Sequence, residues 1–431
     1  MSDFLVGPSK LSGQIAIPPS KSQSIRALLF AAMAEGESSV TNLLLSPDID
    51  ATIEACRQLG AKVVREGNTC RIVGVAGKPQ VPDNVIDAGN SGLVLRFVSA
   101  LAALTDGYTV ITGDHSIRYN RAVQPLIDGL SGLGASVIST RGNGRPPLII
   151  RGPLKAGRTV LEGSDSQPVS ALLLAAMFLD GKTEIHITNP GEKPFLHMTV
   201  SWLKRFGVTV EFDESFTWIT VQGPVIPKAF EYYVPGDFSS AAYPLVAALL
   251  TGSEITLTNL DFDDFQGDKM LFSCLQRMGA EIEIDRENKM VHVLSGGSLL
   301  GVCIDINDTI DAISLMAVVG CFAKGETHIV NGAIARQKEC DRIHCITQEL
   351  SKMGADIEQF DDGLVVKHSS LRGAPLMAHN DHRIALSLAV AGMAATGQTR
   401  IGGAGCVAKT FPTFSSQMQA MMADIQTVEA S

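Results

Sequence analysis

A glycine followed by a short strand-like run recurs six times in this 431-residue chain. The runs are GESSVTNL from Gly36, GYTVITGD from Gly107, GKTEIHIT from Gly181, GSEITLTN from Gly252, GETHIVNG from Gly325 and GQTRIGGA from Gly397, and successive glycines are 71, 74, 71, 73 and 72 residues apart. A second glycine mark follows each of the first five by 24 to 29 residues, at Leu59-Gly60-Ala61, Leu133-Gly134-Ala135, Phe206-Gly207-Val208, Met278-Gly279-Ala280 and Met353-Gly354-Ala355. Self-similarity at a fixed period means that each unit is one supersecondary element, stable only against its neighbours. Within a unit an apolar helix of about ten residues ends at the first glycine, as helix C-termini do. An alternating strand follows, as in Thr183–Ile187, then an amphipathic helix such as DATIEACRQLGA, with Ile53, Cys56 and Leu59 on one face. Two short strands, for example KVVRE and CRIVG, close the unit. The periodicity therefore reads α-β-α-β-β, six times over. Six such units place their apolar helices inside a wrapping of sheet, grouped three per lobe with a crossing near VPGDFSS at residues 234–240. The strand before Pro18 has no repeat of its own and is expected to complete the second lobe.

Composition agrees with a large shared core, with 45% hydrophobic and 19% charged residues. A net charge of −10 argues against general binding to nucleic acid or a membrane surface. An anionic ligand would need a local basic pocket against that background. The eight cysteines form no Cys-x-x-Cys and no His/Cys set at zinc spacing, which reads as reduced, mostly buried thiols and no metal. MSDFLVGPSK has no basic segment followed by an apolar one, and no apolar run reaches the ~18 residues of a membrane span. A cytoplasmic protein is expected. No phosphate-binding loop, dinucleotide fingerprint or His-Glu-x-x-His occurs.

Six small polar segments precede the apolar helices: SKSQS (20–24), DAGNSG (87–92), SDSQ (164–167), PGDFSS (235–240), NDTID (307–311) and HNDHR (379–383). Plain N-capping explains the Ser, Asn and Asp. It does not explain the cations. Lys21, Arg26, Arg96, His382 and Arg383 sit in the first turns, where positive charge opposes the helix dipole. Helix N-termini bind anions, and cationic side chains then reinforce the site. Further cations keep the repeat phase just after the first strand: Arg118 and Arg121, then Arg336, Lys338 and Arg342, then Lys409. The reading is a polyanion site facing a cleft between the lobes. Asp311 and Glu339 stand among these cations, as proton carriers or as their salt-bridge partners. Asp48, Asp237 and Asp381 read as caps.

PPSKSQSIRALL, AGNSGLVLRF, GDHSIRYNR, PGDFSSAAY, KECDRI, NDHRIALSLAV and KTFPTF, in that order and spacing, resemble the 5-enolpyruvylshikimate-3-phosphate synthase family over essentially the whole chain. The resemblance implies a two-lobed inside-out α/β barrel of six βαβαββ-type repeats, with buried parallel helices wrapped by sheets. One lobe is expected over 20–236 and the other over 1–19 plus 237–431. It implies transfer of enolpyruvyl from phosphoenolpyruvate to the 5-hydroxyl of shikimate 3-phosphate in chorismate and aromatic amino-acid biosynthesis, with no cofactor and no metal. Carried over by position, Lys21, Ser22, Arg26, Ser166, Gln167, Asp311 and Lys338 would bind shikimate 3-phosphate. Lys21, Asn90, Gly92, Arg121, Gln167, Arg342, Arg383 and Lys409 would hold phosphoenolpyruvate. Asp311 would be the base near the 5-hydroxyl, with Lys21, Glu339 and His382 as proton-transfer residues. Glyphosate is the expected inhibitor and a monomer the expected state.

Several positions depart from the family pattern. Two serines that seat the acceptor phosphate read Asp165 and Glu192 here, a tyrosine reads Phe195, an asparagine Ile334, and Leu93 and Phe97 replace a threonine and a proline near Gly92. Two carboxylates beside a phosphate dianion repel it. Either Lys193 or Arg336 compensates, or the carboxylates turn away, or the acceptor is another shikimate-like or cyclitol alcohol. UDP-N-acetylglucosamine enolpyruvyl transferase is a weaker match, since Lys21-Ser22 replaces its Lys-Asn and GDHSIRYNR lacks its cysteine. An inactive anion-binding protein is disfavoured by the presence of Lys21, Asp311, Glu339 and Arg383 together.

Overall fold

The computed structural model describes residues 2–429. Chain contacts divide it into two compact units, Pro19–Val234 and Met1–Pro18 with Pro235–Ser431. Each has its own hydrophobic core. Repeats one to three supply α1 (Lys21–Met33), α2 (Pro47–Gln58), α3 (Gly92–Ala102), the short α4 (His115–Tyr119), α5 (Gln124–Gly132), α6 (Ser166–Ala176) and α7 (Lys193–Arg205). Repeats four to six supply α8 (Phe238–Leu250), α9 (Met270–Arg277), α10 (Ile313–Phe322), α11 (Arg342–Lys352), α12 (His382–Ala394) and α13 (Phe414–Ala420).

Inner and outer helices differ as their residues dictate. In α1 every residue from Gln23 to Met33 is buried, and in α12 every residue from His382 to Met393. These helices are apolar all round and so need cover on every side. They find it in each other: α1 and α6 pack on α3, and α8 and α12 pack on α10. Each buried Leu or Ile contributes about 1.5–3 kcal/mol against the entropy of ordering it. The outer helices carry one apolar stripe; in α2 it is Ile49, Ile53 and Cys56.

Among the described residues six four-stranded sheets cover the inner helices. In repeat three Arg158–Glu162 runs parallel to Gly181–Thr188, which pairs antiparallel with Trp218–Gly223, itself paired with Thr209–Phe212. Each unit thus has one more strand, ahead of the inner helix, than periodicity alone suggests. That strand escapes notice because it is short, only Ile86–Asp87 in repeat two. Two of these leading strands are exchanged along the chain. Ser12–Ala16 lies parallel to Glu254–Thr258 in repeat four, and Glu231–Tyr233 lies parallel to Glu37–Thr41 in repeat one. Ser2–Val6 pairs antiparallel with both Thr399–Gly402 and Ile425–Glu429, completing the sheet of repeat six. The second glycine marks all have positive φ, from +79° at Gly207 to +104° at Gly279, the left-handed turn that ends an outer helix. Among the described residues no helix is long and apolar enough to cross a membrane.

Candidate active site

Five of the six inner helices are capped by the expected polar residue. Ser20, Ser91, Asp165, Asp237 and Asp381 accept from backbone N–H groups in the first turns of α1, α3, α6, α8 and α12. The NDTID segment departs from this pattern. It forms a 3₁₀ turn, Asn307–Ala312, and α10 starts without a side-chain cap. Asp48 is not a cap either. It lies inside the first turn of α2, buried, with Oδ2 3.6 Å from Nζ of Lys21.

In the repeat 1–3 unit, each cation at a helix entrance meets a partner from another element. Lys21 faces Asp48. Arg26 is buried under the ring of Phe97, and its Nε and Nη2 donate to Oγ1 of Thr199 at 3.1 and 2.9 Å. It also reaches the carbonyl of Ser22 at 3.2 Å. Arg96 pairs with Oδ2 of Asp165 at 2.9 Å. Asn90 donates to the α4 cap Asp114 at 2.6 Å. Gly92 lies beneath a convergence of three long side chains. A Cβ there would stand 3.0 Å from Nη1 of Arg96, 3.1 Å from Oε1 of Gln167 and 3.8 Å from Cζ of Arg121. Only glycine leaves these groups in place.

Asp165 and Glu192 are turned to partners within the chain. Asp165 caps α6 through Oδ1, 3.1 Å from the N–H of Gln167, and gives its other oxygen to Arg96. Glu192 is buried in the left-handed conformation, φ +48°, just before α7. Its Oε2 accepts the backbone N–H of Ser166 at 3.1 Å and the Ser166 hydroxyl at 2.8 Å. Arg336, one of the two candidate compensators with Lys193, pairs with Asp341 at 2.7 Å and with the carbonyl of Asp361 at 2.9 Å.

In the repeat 4–6 unit a chain of alternating charge links Lys409, Glu339, Arg342, Asp311 and Arg383. Lys409 Nζ is 2.7 Å from Glu339 Oε1, and Glu339 Oε2 is 2.8 Å from Arg342 Nη2. Arg342 Nη1 is 2.7 Å from Asp311 Oδ1, whose Oδ2 is 3.0 Å from Arg383 Nη2. Arg342 spends its third edge on Asp381, Nε to Oδ2 at 2.8 Å. Of the two alternatives for Asp311 and Glu339, the ion pairs show the salt-bridge one, each carboxylate being paired with two cations. Burial alone would raise the Asp311 pKa, but Arg383, Arg342 and Lys338 hold it well below the usual carboxylate range. Burial opposes the charge of Arg342 too, yet Asp381, Glu339 and Asp311 keep its pKa well above normal. His382 is buried at the start of α12, with Nδ1 3.8 Å from the capping carboxylate of Asp381.

Several members of these clusters escaped the sequence reading. Thr199 lies in the outer helix α7, where only its apolar neighbours carry a pattern. Asp381 looked like a cap and is one, but its second oxygen anchors Arg342. Asp268 and Tyr243 are both buried and act electrostatically on the Asp311–Arg383 pair. Burial, and then Asp311, pushes the Asp268 pKa up to about 7.

The sequence profile of EPSP synthase (3-phosphoshikimate 1-carboxyvinyltransferase) matches residues 5–418. Curated relatives carry the name 3-phosphoshikimate 1-carboxyvinyltransferase. The one from Acetivibrio thermocellus is 44% identical over 98% of this chain and 99% of its own. That from Ruminiclostridium cellulolyticum is 42% identical over 98% and 99%, and that from Chlamydia caviae 40% identical over 99% and 95%. A solved EPSP synthase from Acinetobacter baumannii superposes with a TM-score of 0.83 at 27% identity, covering 100% of both chains.

Proposed function

The chain belongs to the EPSP synthase family, and from that premise we propose how its side chains divide the work of enolpyruvyl transfer. The enzyme is a 3-phosphoshikimate 1-carboxyvinyltransferase of the shikimate pathway. Phosphoenolpyruvate is protonated at its methylene carbon while the acceptor 5-hydroxyl attacks C2. The resulting ketal loses phosphate by C–O cleavage as its methyl group gives up a proton. Two or more titratable groups must therefore act in both directions.

We assign phosphoenolpyruvate to Lys21, Asn90, Gly92, Arg121, Gln167, Arg342, Arg383 and Lys409. Shikimate 3-phosphate is assigned to Lys21, Ser22, Arg26, Ser166, Gln167, Asp311 and Lys338. The supporting observation is the alternating chain from Lys409 to Arg383. Its guanidinium and ammonium groups are held by carboxylates that an incoming phosphate or carboxylate can replace. Each replacement takes a cation from Asp311 and lets its pKa rise, so substrate binding turns a salt-bridge partner into a base. Glu339 is released from Arg342 and Lys409 in the same way, and His382 and Lys21 complete the proton-carrying set. We extend the reading to inhibition by glyphosate in competition with phosphoenolpyruvate, to action as a monomer and to a cytoplasmic location.

Phosphate release from phosphoenolpyruvate and shikimate 3-phosphate, followed with the purified chain, tests the reading. D311N is expected to lower kcat by about 10²–10⁴-fold, the range for a general base. Release with shikimate or another alcohol but none with shikimate 3-phosphate would move the acceptor assignment. Absence of competition by glyphosate at millimolar concentration would remove the inhibitor assignment.

A further inference from the structure

The segment that leads into α12 bends through two consecutive residues in the left-handed region, His379 at φ +51° and Asn380 at φ +55°. Neither is glycine, and such backbone persists only where its surroundings over-determine it. Part of that support is local. Met377 ends the strand Pro375–Met377, which runs beside Thr399–Gly402. The N–H of Ala378 donates to the carbonyl of Gly402 at 2.9 Å, and the N–H of Asp381 to the carbonyl of Ala378 at 2.9 Å. The rest of the support comes from α11. Glu349 is fully buried there, two turns beyond Arg342 on the same face. Its Oε1 accepts from Nε2 of His379 at 2.7 Å, and its Oε2 accepts the N–H of Met377 at 3.1 Å. The exposed ammonium of Lys352 reaches both oxygens, at 2.9 and 2.8 Å.

A second contact grips the same segment. Asp381 accepts the N–H of Arg383 at 2.7 Å with Oδ1 and Nε of Arg342 at 2.8 Å with Oδ2. Helix α11 therefore holds residues 377–381 at both ends, through Glu349 at one and Arg342 at the other. Arg383 follows directly in the first turn of α12, with Nη2 3.0 Å from Asp311. Burial alone would raise the Glu349 pKa, but Lys352, His379 and the N–H of Met377 hold it below the ordinary carboxylate value. The group is thus an anion and its bonds to the turn are charge-assisted. Its neighbours Ile346 and Leu350 are buried and apolar, so packing of α11 does not call for a carboxylate, which is costly to bury without such bonds.

We propose that Glu349 is a positioning residue for phosphoenolpyruvate: through His379 and the N–H of Met377 it sets the turn that aims Asp381 at Arg342 and starts α12 at Arg383. The inference rests on the assignment of Arg342 and Arg383 to phosphoenolpyruvate. Without Glu349 the two left-handed residues relax towards ordinary backbone and Asp381 moves with them. Both guanidiniums then lose the placement they hold before the ligand arrives, and binding has to restore it. Lys21, Ser22, Arg26, Ser166 and Gln167 of the shikimate 3-phosphate set belong to the other unit and keep their contacts.

Steady-state phosphate release by the full-length protein tests this. E349Q should raise KM for phosphoenolpyruvate about tenfold, with kcat and KM for shikimate 3-phosphate little changed. H379N keeps a residue that tolerates the left-handed turn but no longer reaches Glu349, and should raise the same KM by a smaller factor. K352M removes a partner of Glu349 that does not touch the turn, and should leave that KM at the wild-type value whatever it does to Tm. An unchanged KM for phosphoenolpyruvate in E349Q and H379N overturns the proposal. So does a rise in K352M equal to that in E349Q, because the loss then belongs to α11 at large. Should E349Q fail to fold, H379N decides, since its side chain is partly exposed. R383K judges the ligand assignment separately: a wild-type KM for phosphoenolpyruvate there removes Arg383 from the site and leaves Glu349 to the other variants.

Discussion

Glu192 closes the N-terminus of α6 by accepting both the N–H and the hydroxyl of Ser166, at 3.1 and 2.8 Å. A helix N-terminus is a ready anion site, and here the anion is the protein's own. An acceptor phosphate that uses Ser166 competes with that carboxylate.

Substituting the carboxylate should therefore tighten the acceptor. E192S is expected to lower KM for shikimate 3-phosphate about tenfold, equivalent to 1.4 kcal/mol, with KM for phosphoenolpyruvate little changed. E192Q should give a smaller effect in the same direction. An unchanged or raised acceptor KM in both variants would show that the phosphate does not use Ser166.

Gly92 should reject even a methyl group. In G92A the added Cβ meets Arg96 Nη1 at 3.0 Å and Gln167 Oε1 at 3.1 Å, so both side chains must shift. A shift of this size in a positioned site costs about tenfold or more. The loss should appear in KM for phosphoenolpyruvate rather than in thermal stability. Steady-state kinetics and a melting curve on the same preparation separate the two.

Arg342 holds three carboxylates while itself buried. R342M leaves them uncompensated and should destabilise the protein by about 3–5 kcal/mol. R342K keeps the charge but not the three-edged geometry and should fall between variant and wild type. Urea unfolding midpoints at a single pH rank the three proteins.

Asp268 should leave a mark on the pH dependence of stability. Its folded pKa of about 7 lies above the ordinary value of 3.8. Between these values the folded state binds the extra proton, so this contribution to stability is complete below about pH 4 and is lost as pH rises through 7. D268N lacks the titration, so its stability relative to wild type should increase from pH 5 to pH 8. A difference between the two proteins that stays constant over that range would contradict the burial argument.

Much of the fold was legible in the chain because a repeat of about seventy residues leaves its glycines in phase. Gly60, Gly134, Gly207, Gly279 and Gly354 all adopt the positive φ that their place after an outer helix requires. The leading strands were not legible, because two to five residues are too few to establish an alternation. Residue types and phase also marked the charged positions of the candidate site, from Lys21 to Lys409. Their partners could not be read in the same way. Thr199 meets Arg26 across 173 residues, and Asp48 reaches Lys21 from the next helix. Periodicity tells which face a residue shares, and the reach of a side chain to a different element lies outside it.

The exchanged strands have a consequence for how the protein is made. Repeat one is synthesised first, yet its sheet lacks an edge until Glu231–Tyr233 arrives, after repeat three. Ser12–Ala16 is older still and waits for Glu254–Thr258. Ser2–Val6 waits longest of the three, since its partners Thr399–Gly402 and Ile425–Glu429 belong to repeat six. Such pairings between distant segments are slow to form and leave strand edges open meanwhile. The order of synthesis and the order of closure run against each other at the N-terminus. Ser2–Val6 and Ser12–Ala16 therefore act as a latch, closed only by a chain whose later repeats are already in place.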